Sequence, residues 1–218
     1  MLTFSEENHI KSIFHLSANS EEGVSTNSIA ENLNTKASSV TEMLKKLSEK
    51  RLIIYKKYHG AQLTELGRKT ALNIIRKHRL WEVFLVEKLN FKWDEVHDIA
   101  EQLEHIQSEK LTNQLDEFLD FPTQDPHGDP IPNPAGFIKF TPKLKLSDLN
   151  IGETGKFIGV EDSSSTFLKY LDKRKISLGC NIKVLHREDF DQSLHIGLDD
   201  TNLSISIKSA SNLYITKI

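Results

Sequence analysis

The chain has 218 residues, which allow one large domain or two small ones, since a domain typically takes about 100 to 200 residues. Its 28 Lys and Arg against 31 Asp and Glu give a net charge of −3, so the total does not suggest a nucleic-acid-binding protein. No apolar run approaches the roughly 18 residues that span a bilayer, and no export signal is visible, so we expect a cytoplasmic protein with no membrane partner. The single cysteine, Cys180, excludes an internal disulfide and a cysteine-based zinc cluster.

The charge is unevenly distributed along the chain. Residues 36–79 carry twelve Lys and Arg against three Glu, a local charge of +9, whereas residues 80–130 carry thirteen acidic residues against three Lys, a local charge of −10. A basic block followed by an acidic block suggests one surface for a polyanion and another for cations. The alternative is two oppositely charged solvated faces.

The first three predicted elements have the spacing of a helix-turn-helix. Apolar periodicity predicts helices over 5–19, with Ser5 as its N-cap, over 26–33 and over 37–50. Only residues 34–36 separate the second helix from the third. Groove-reading and phosphate-holding side chains lie off the apolar stripe of the third helix: Ser38, Ser39, Thr41, Glu42, Lys45 and Lys46.

A hairpin and a long helix are predicted next. Residues 52–57 and 61–64 are rich in β-branched and aromatic residues and flank Tyr58-His59-Gly60, which is typical of a β-hairpin. This hairpin would be the wing of a winged helix. Thr64 is placed to cap a helix that runs to about Asn90.

The rest of the chain divides at a proline-rich segment. Helices are predicted over 93–107 and 108–120, after which residues 121–134 contain five of the six prolines and form a linker. Several short strands at this spacing suggest a small β-barrel. The strand-like runs are 156–161, 181–186, 193–198, 204–208 and 213–218.

Imidazoles and carboxylates recur on the inward faces of two predicted helices. Such groups require a partner, either a divalent metal or the basic segment. Without thiolate, this donor set suits Mn, Fe, Co or Zn. Ordinary surface histidines on a solvated acidic face are the alternative, and spacing alone does not separate a regulator from a catalytic dimetal centre. The residues are His78, Glu82, His97, Glu101, Glu104 and His105.

The order of several motifs closely resembles the diphtheria toxin repressor family of metal-dependent transcriptional repressors. The resemblance covers nearly the whole chain, and its carboxy-terminal part is similar to the family's small Src-homology-3-like barrel, related to FeoA. The motifs are residues 5–11 (SEENHIK), 38–41 (SSVT), 63–67 (LTELG), 76–82 (RKHRLWE), 96–98 (VHD), 103–105 (LEH) and 125–132 (DPHGDPIP).

The resemblance implies two metal sites. It places Asn8, Glu101, Glu104 and His105 in a primary site. It places four residues in an ancillary site, namely His78, Glu82, His97 and Glu161.

Four positions depart from one branch of the family or the other. Glu101 matches the manganese-responsive branch, where iron-responsive members have Cys, and loss of the thiolate favours Mn(II). Asn8 replaces Asp of the manganese branch, Lys11 replaces a further Glu ligand, and a protonated lysine cannot ligate. Ser164 is shorter than the barrel ligand of iron-type members. We therefore expect one or two ions per subunit, with Mn(II) favoured over Fe(II).

The predicted fold class is mainly α, with a winged helix-turn-helix (1–64), a helical metal-binding and dimerisation domain (65–121), a Pro-rich linker (122–144) and a small β-barrel (145–218). The predicted function is a homodimeric, metal-dependent repressor of metal-uptake genes, not an enzyme, on a palindromic double-stranded operator. Ser38, Ser39, Thr41 and Glu42 would contact bases, and Lys45, Lys46, Lys56 and Lys57 phosphates. A winged-helix regulator with a structural metal cluster and another effector, or a dimetal carboxylate enzyme, are the alternatives.

Overall fold

The computed structural model of the protein describes residues 2–17, 23–56, 58–139, 142–198 and 201–218. The amino-terminal region is mainly helical and the carboxy-terminal region is built on a β-sheet. The helices of the described residues are α1 (Phe4–Ser17), α2 (Thr26–Asn32), α3 (Ala37–Glu49), α4 (Glu65–Leu89), α5 (His97–Leu103), α6 (Glu109–Phe118), α7 (Ser165–Lys173) and α8 (Ile207–Ser211). The strands are β1 (Ile53–Lys56), β2 (Gly60–Leu63), β3 (Leu144–Lys145), β4 (Thr154–Val160), β5 (Asn181–Arg187), β6 (Leu194–Leu198), β7 (Thr201–Ile205) and β8 (Leu213–Lys217).

Helix α1 begins with a capping box. The Glu6 N–H donates to Thr3 Oγ1 at 3.3 Å, and the Thr3 N–H donates to Glu6 Oε2 at 2.9 Å. The cap is therefore Thr3, and the prediction of Ser5 was wrong, because the Glu three residues after Thr3 completes the reciprocal pair. Ser5 lies inside the helix, and the predicted end of the helix at residue 19 lies outside the described residues.

The predicted winged helix-turn-helix is confirmed. Ser25 caps α2 by accepting the Ser28 N–H at 3.0 Å, and α3 follows after a short turn. Strands β1 and β2 pair antiparallel, with Ile53 opposite Leu63, and form the wing. The apolar stripes of these elements share one buried core, which includes Ile10, Ile13, Ile29, Val40, Leu44 and Leu47.

The long helix α4 carries the second half of the helical region. Thr64 caps it by accepting the Gly67 N–H at 3.0 Å, as predicted, and Asn90 ends it in a left-handed conformation. A buried ion pair, Arg76 Nη2 to Asp116 Oδ2 at 2.7 Å, joins α4 to α6. None of the helices in the described ranges combines the length and apolar content needed to cross a membrane.

Helix α5 is shorter than the predicted helix over 93–107. The residues before it form turns, because tertiary contacts hold Trp93 at both its side chain and its backbone. The Trp93 indole N–H donates to Asp172 Oδ1 at 3.0 Å, and the Trp93 carbonyl accepts a hydrogen bond from His127 Nε2 at 2.8 Å. The helix ends at Leu103, so Glu104 is its C-cap and His105 lies beyond it.

The carboxy-terminal sheet is antiparallel, with strand order β3-β8-β4-β5-β6-β7. All five predicted strands are present, but β7 begins three residues before the predicted run, which ends in α8 instead. Helices α7 and α8 were not predicted. Among the described residues, the edge strands β3 and β7 do not pair with each other, so the predicted closure into a barrel is not confirmed.

Part of the proline-rich segment is packed into the structure. Over its described part it contains no helix, in agreement with its prolines, but Asp125 and His127 are buried. Gly128 has φ of +86°, and a Cβ there would lie 2.0 Å from the Ile158 carbonyl oxygen. The Val160 N–H donates to the His127 carbonyl at 3.0 Å. Only glycine permits this approach to β4, which fixes His127 beside α4.

Candidate metal centre

Two residues of α4 begin the site. His78 and Glu82 lie one helical turn apart, and their side chains are 11% and 2% exposed. His78 Nε2 donates to Glu82 Oε1 at 3.0 Å, while His78 Nδ1 donates to Glu104 Oε2 at 2.7 Å. Because both ring nitrogens face carboxylate oxygens, the metal-free arrangement favours the imidazolium form of His78.

Helix α5 adds two further ligand-type side chains. His97 Nδ1 lies 3.6 Å from Glu82 Oε1, and its Nε2 lies 3.7 Å from Glu101 Oε1. Glu101 Oε1 also lies 3.6 Å from His78 Nδ1. Ligand atoms of His78, His97 and Glu101 all lie within 4.8 Å of one another, which is a spacing that a metal ion can bridge.

The proline-rich segment supplies two residues that were not among the predicted metal ligands. His127 Nδ1 lies 3.5 Å from Glu82 Oε2, and Asp125 completes a buried trio with these two residues. The Asp125 Oδ1 accepts the N–H groups of His127 and Asp129 at 2.8 and 3.0 Å. The sequence signal that could have identified them is a pair of ligand-type residues in a segment that proline makes rigid. We call His78, Glu82, His97, Asp125 and His127 the Glu82 cluster.

The electrostatics of the Glu82 cluster suit a cation. Burial alone lowers the pKa of His78, but hydrogen bonds to Glu104 and Glu82 outweigh it and raise the pKa to about 9. The pKa of His127 also rises to about 9, because the Glu82 contact overcomes burial. Burial and the neighbouring charge of Glu82 raise the pKa of Asp125 to about 7. Burial opposes ionisation of Glu82, but its three histidine contacts hold its pKa far below the usual range.

The donor set and geometry of the Glu82 cluster fit a divalent first-row metal. The residues offer carboxylate oxygens and imidazole nitrogens without thiolate. His127 Nε2 donates to the Trp93 carbonyl, so in the neutral ring Nδ1 is the unprotonated atom that faces Glu82. A cavity of about 490 Å³ reaches this cluster and also includes Asn8 and Lys11.

Lys11 lies between two carboxylates that the resemblance assigns to the primary site. Lys11 Nζ is 2.5 Å from Glu101 Oε1 and 2.7 and 2.8 Å from the two oxygens of Glu104. We call these three residues the Lys11 cluster. Its two carboxylates already hold the ammonium group of Lys11 between them, so the Lys11 cluster as it stands does not fit a metal ion.

The other residues implied for the primary site are held separately. His105 Nδ1 lies 2.5 Å from Glu7 Oε2, and the His105 ring stacks on Phe4 with centroids 4.4 Å apart. Asn8 Oδ1 is buried and has no hydrogen-bond partner among the described residues. A lone neutral oxygen is a weak metal ligand, so Asn8 does not replace the two carboxylates held by Lys11.

The two carboxy-terminal residues considered for the ancillary site do not join the Glu82 cluster. Glu161 Oε2 pairs with Lys145 Nζ at 2.6 Å, and its side chain is 46% exposed. Ser164 caps α7 by accepting the Phe167 N–H. Among the described residues, the second carboxylate beside Glu82 and His127 is that of Asp125.

Most of the predicted DNA-contacting residues lie on an exposed face of α3 and on the wing. Lys45, Lys46 and Lys56 are exposed, and so are Ser38, Ser39 and Glu42. Glu42 pairs with Lys45 at 2.8 Å. Thr41 is half-buried and donates to the Ala37 carbonyl at 2.9 Å. Lys57 lies outside the described residues.

A winged helix joined to a helical region with a carboxylate and imidazole cluster defines a class of DNA-binding protein with a candidate metal centre. Three family profiles match in order: "Iron dependent repressor, N-terminal DNA binding domain" over residues 1–61, "Iron dependent repressor, metal binding and dimerisation domain" over 64–133 and "FeoA domain" over 144–217. The chain belongs to the iron-dependent repressor family, which includes the diphtheria toxin repressor.

Individual relatives agree with this assignment. The chain is 34% identical to a "Manganese-dependent transcriptional repressor complex with manganese", with a TM-score of 0.85 over 98% of this chain and 100% of that one. It is 31% identical to ScaR with bound Cd²⁺, with a TM-score of 0.79 over 98% and 99% of the two chains. It is 35% identical to the iron-dependent repressor IdeR of Mycobacterium bovis over 58% of this chain and 54% of IdeR. The chain thus spans about half the length of the curated relatives it matches.

Proposed function

We propose that this chain is a metal-activated transcriptional repressor that acts in the cytoplasm as a homodimer and controls metal uptake. The observation that carries the proposal is the convergence of the buried side chains of Glu82, Asp125 and His127 in a protein whose amino-terminal region is a winged helix. The relatives named above are repressors rather than enzymes, and we infer no catalytic role. The family profiles support the proposed division into winged-helix (1–64), helical (65–121) and carboxy-terminal (145–218) domains. We infer that the last domain is a small barrel.

The regulatory ion would be held by the Glu82 cluster. Glu82, Asp125 and His127 are the central ligands, and His78 and His97 are the outer members of the cluster. Glu101 of the Lys11 cluster lies beside these two histidines. We favour Mn(II), with Fe(II) as the competing ion, because hard oxygen and imidazole donors predominate and no thiolate is present. A bound ion supplies the positive charge that lets both buried carboxylates ionise together.

The proposed DNA contacts lie on α3 and the wing. Two copies related by a two-fold axis would place their α3 helices in major grooves about 34 Å apart, or a multiple of that, on a palindromic operator. The exposed apolar residues Leu111 and Phe118 of α6 and the nearby Phe121 support a dimer face in the helical region. Lys45, Lys46 and Lys56 are positioned for phosphates, and the start of α3 for base edges.

Metal binding can influence DNA only through a difference between two arrangements of the chain. The Glu82 cluster joins α4, α5 and the proline-rich segment, and α1 of the DNA-binding region contacts α5 through Lys11. An ion that draws these elements together therefore changes the setting of α1 and the winged helix. By linkage, DNA must tighten metal binding by the same factor.

The experiment selects operator DNA from a random library in the presence of Mn(II), then measures binding by fluorescence anisotropy after chelation and after adding Mn(II) or Fe(II) back. We expect binding only with metal, and we expect Glu82→Gln and His127→Gln to lose this response. His186→Gln, which alters an exposed histidine of β5 remote from the Glu82 cluster, is the matched control. Equal DNA binding with and without metal would refute the proposal and favour a regulator with another effector.

A further inference from the structure

Three of the four carboxylate oxygens of the Lys11 cluster contact the ammonium group of Lys11. The three N–H groups of the Lys11 ammonium match three carboxylate oxygens, Glu101 Oε1 and both oxygens of Glu104, at 2.5 to 2.8 Å. Glu104 is fully buried, and the Lys11 side chain is only 13% exposed. A second divalent ion at this point would have to displace Lys11 and leave its charge without a partner, which is strongly unfavourable in a buried setting.

The same region contains a second connection that needs no metal. Glu7 of α1 pairs with His105 just beyond α5, and Gln107 also donates to Glu7 at 2.5 Å. Together with Lys11, these contacts join one face of α1 to α5 and its carboxy-terminal end. They use residues 90 to 100 positions apart in the chain.

We propose that Lys11 is a resident cation that takes the place of a metal ion between α1 and α5, so that each subunit binds a single regulatory ion, at the Glu82 cluster. The proposal rests on the proposed function, since it counts the ions that the repressor senses. It makes Lys11 a positioning residue: its charge holds Glu101 and Glu104 against α1 whether or not metal is present. The metal signal then enters through the cavity shared by α4, α5 and the proline-rich segment.

The test counts Mn(II) ions per subunit of the full chain by equilibrium dialysis and elemental analysis. The natural chain should bind one. Lys11→Glu places a third carboxylate beside Glu101 and Glu104 and should raise the count to two, whereas Lys11→Arg keeps the positive charge and should leave one. Lys50→Met is the matched control, because Lys50 also pairs with a buried glutamate of α1, Glu6, at 2.6 Å, but outside the Lys11 cluster.

Two ions on the natural chain would overturn the proposal, and so would a second ion on Lys11→Arg. If Lys11→Glu fails to fold, Lys11→Gln replaces it: removal of the cation should allow a second ion or lower the metal-free melting temperature, with Mn(II) restoring it. An unchanged count and an unchanged melting temperature in Lys11→Gln would also overturn it. The proposed function fails separately. If the chain binds one ion but its DNA affinity does not change when that ion binds, the repressor mechanism is contradicted, whereas the proposal of a single ion per subunit stands.

Discussion

Binding of Mn(II) to the Glu82 cluster should release protons and depend steeply on pH. In the metal-free protein, the pKa values of His78 and His127 are both raised to about 9 by their carboxylate contacts. A metal ligand must be a neutral imidazole, so each histidine that ligates must first lose its proton. The perturbation is therefore a change of pH between about 6.5 and 8.5.

The magnitude follows from the two pKa values. At pH 7, a histidine with a pKa of about 9 is neutral in only about 1% of molecules, which costs about 3 kcal/mol of binding free energy for each ligating histidine. If both ligate, the association constant should rise about 100-fold per pH unit in this range. Asp125, with its pKa raised to about 7, adds about half a proton near neutrality.

Isothermal titration calorimetry in two buffers of different ionisation enthalpy measures the protons released. With both histidines ligating and Asp125 contributing about half a proton, we expect about 2.5 protons at pH 7, and about 1.5 for His127→Gln, with His186→Gln unchanged as the control. An affinity that changes less than about threefold per pH unit would refute the reasoning.

The pH dependence of stability in the absence of metal supplies a second check. Both folded pKa values exceed the unfolded value of about 6.5, so this stabilisation is complete below pH 6.5 and is lost as the pH rises through about 9.

Three further predictions concern the backbone, the core and the DNA face. Gly128→Ala should weaken Mn(II) binding at least about tenfold, because the new Cβ would collide with β4. Gly152→Ala is the control and should leave Mn(II) binding unchanged, because Gly152 has a similar φ of +89° but no atom within 4 Å of its Cβ. Equilibrium dialysis compares the two variants. Arg76→Met should cost about 3 to 5 kcal/mol in urea unfolding, because it leaves the buried Asp116 unpaired, and a loss below about 1 kcal/mol would contradict the burial argument. Lys46→Ala should lower DNA affinity for all sequences alike, and the salt dependence of the binding constant should fall by the amount expected for about one phosphate contact. A loss of affinity confined to one sequence would show instead that Lys46 contacts bases.

Much of the helical architecture could be predicted because its signals are local. The spacing of Val40, Leu44 and Leu47 places one face of α3 in the core, and the Thr64 hydroxyl satisfies the first N–H groups of α4. The alternating apolar pattern of β5 and β6 likewise indicates strands with one buried face. The start of α5 is different, since contacts with Asp172 and His127 from later segments hold Trp93 in a turn.

The sequence by itself determined which chemical groups are available: the basic side chains of the winged helix, the imidazoles and carboxylates at helical spacing, and a lysine at position 11. Only the tertiary structure decided how they are grouped. It brings Asp125 and His127 from an apparent linker to Glu82, and it carries Lys11 across 90 residues to Glu101 and Glu104. The physical reason is that helix and strand signals act over one or two turns, whereas buried charges find partners through space and are stable only where opposite charges or a metal ion meet them.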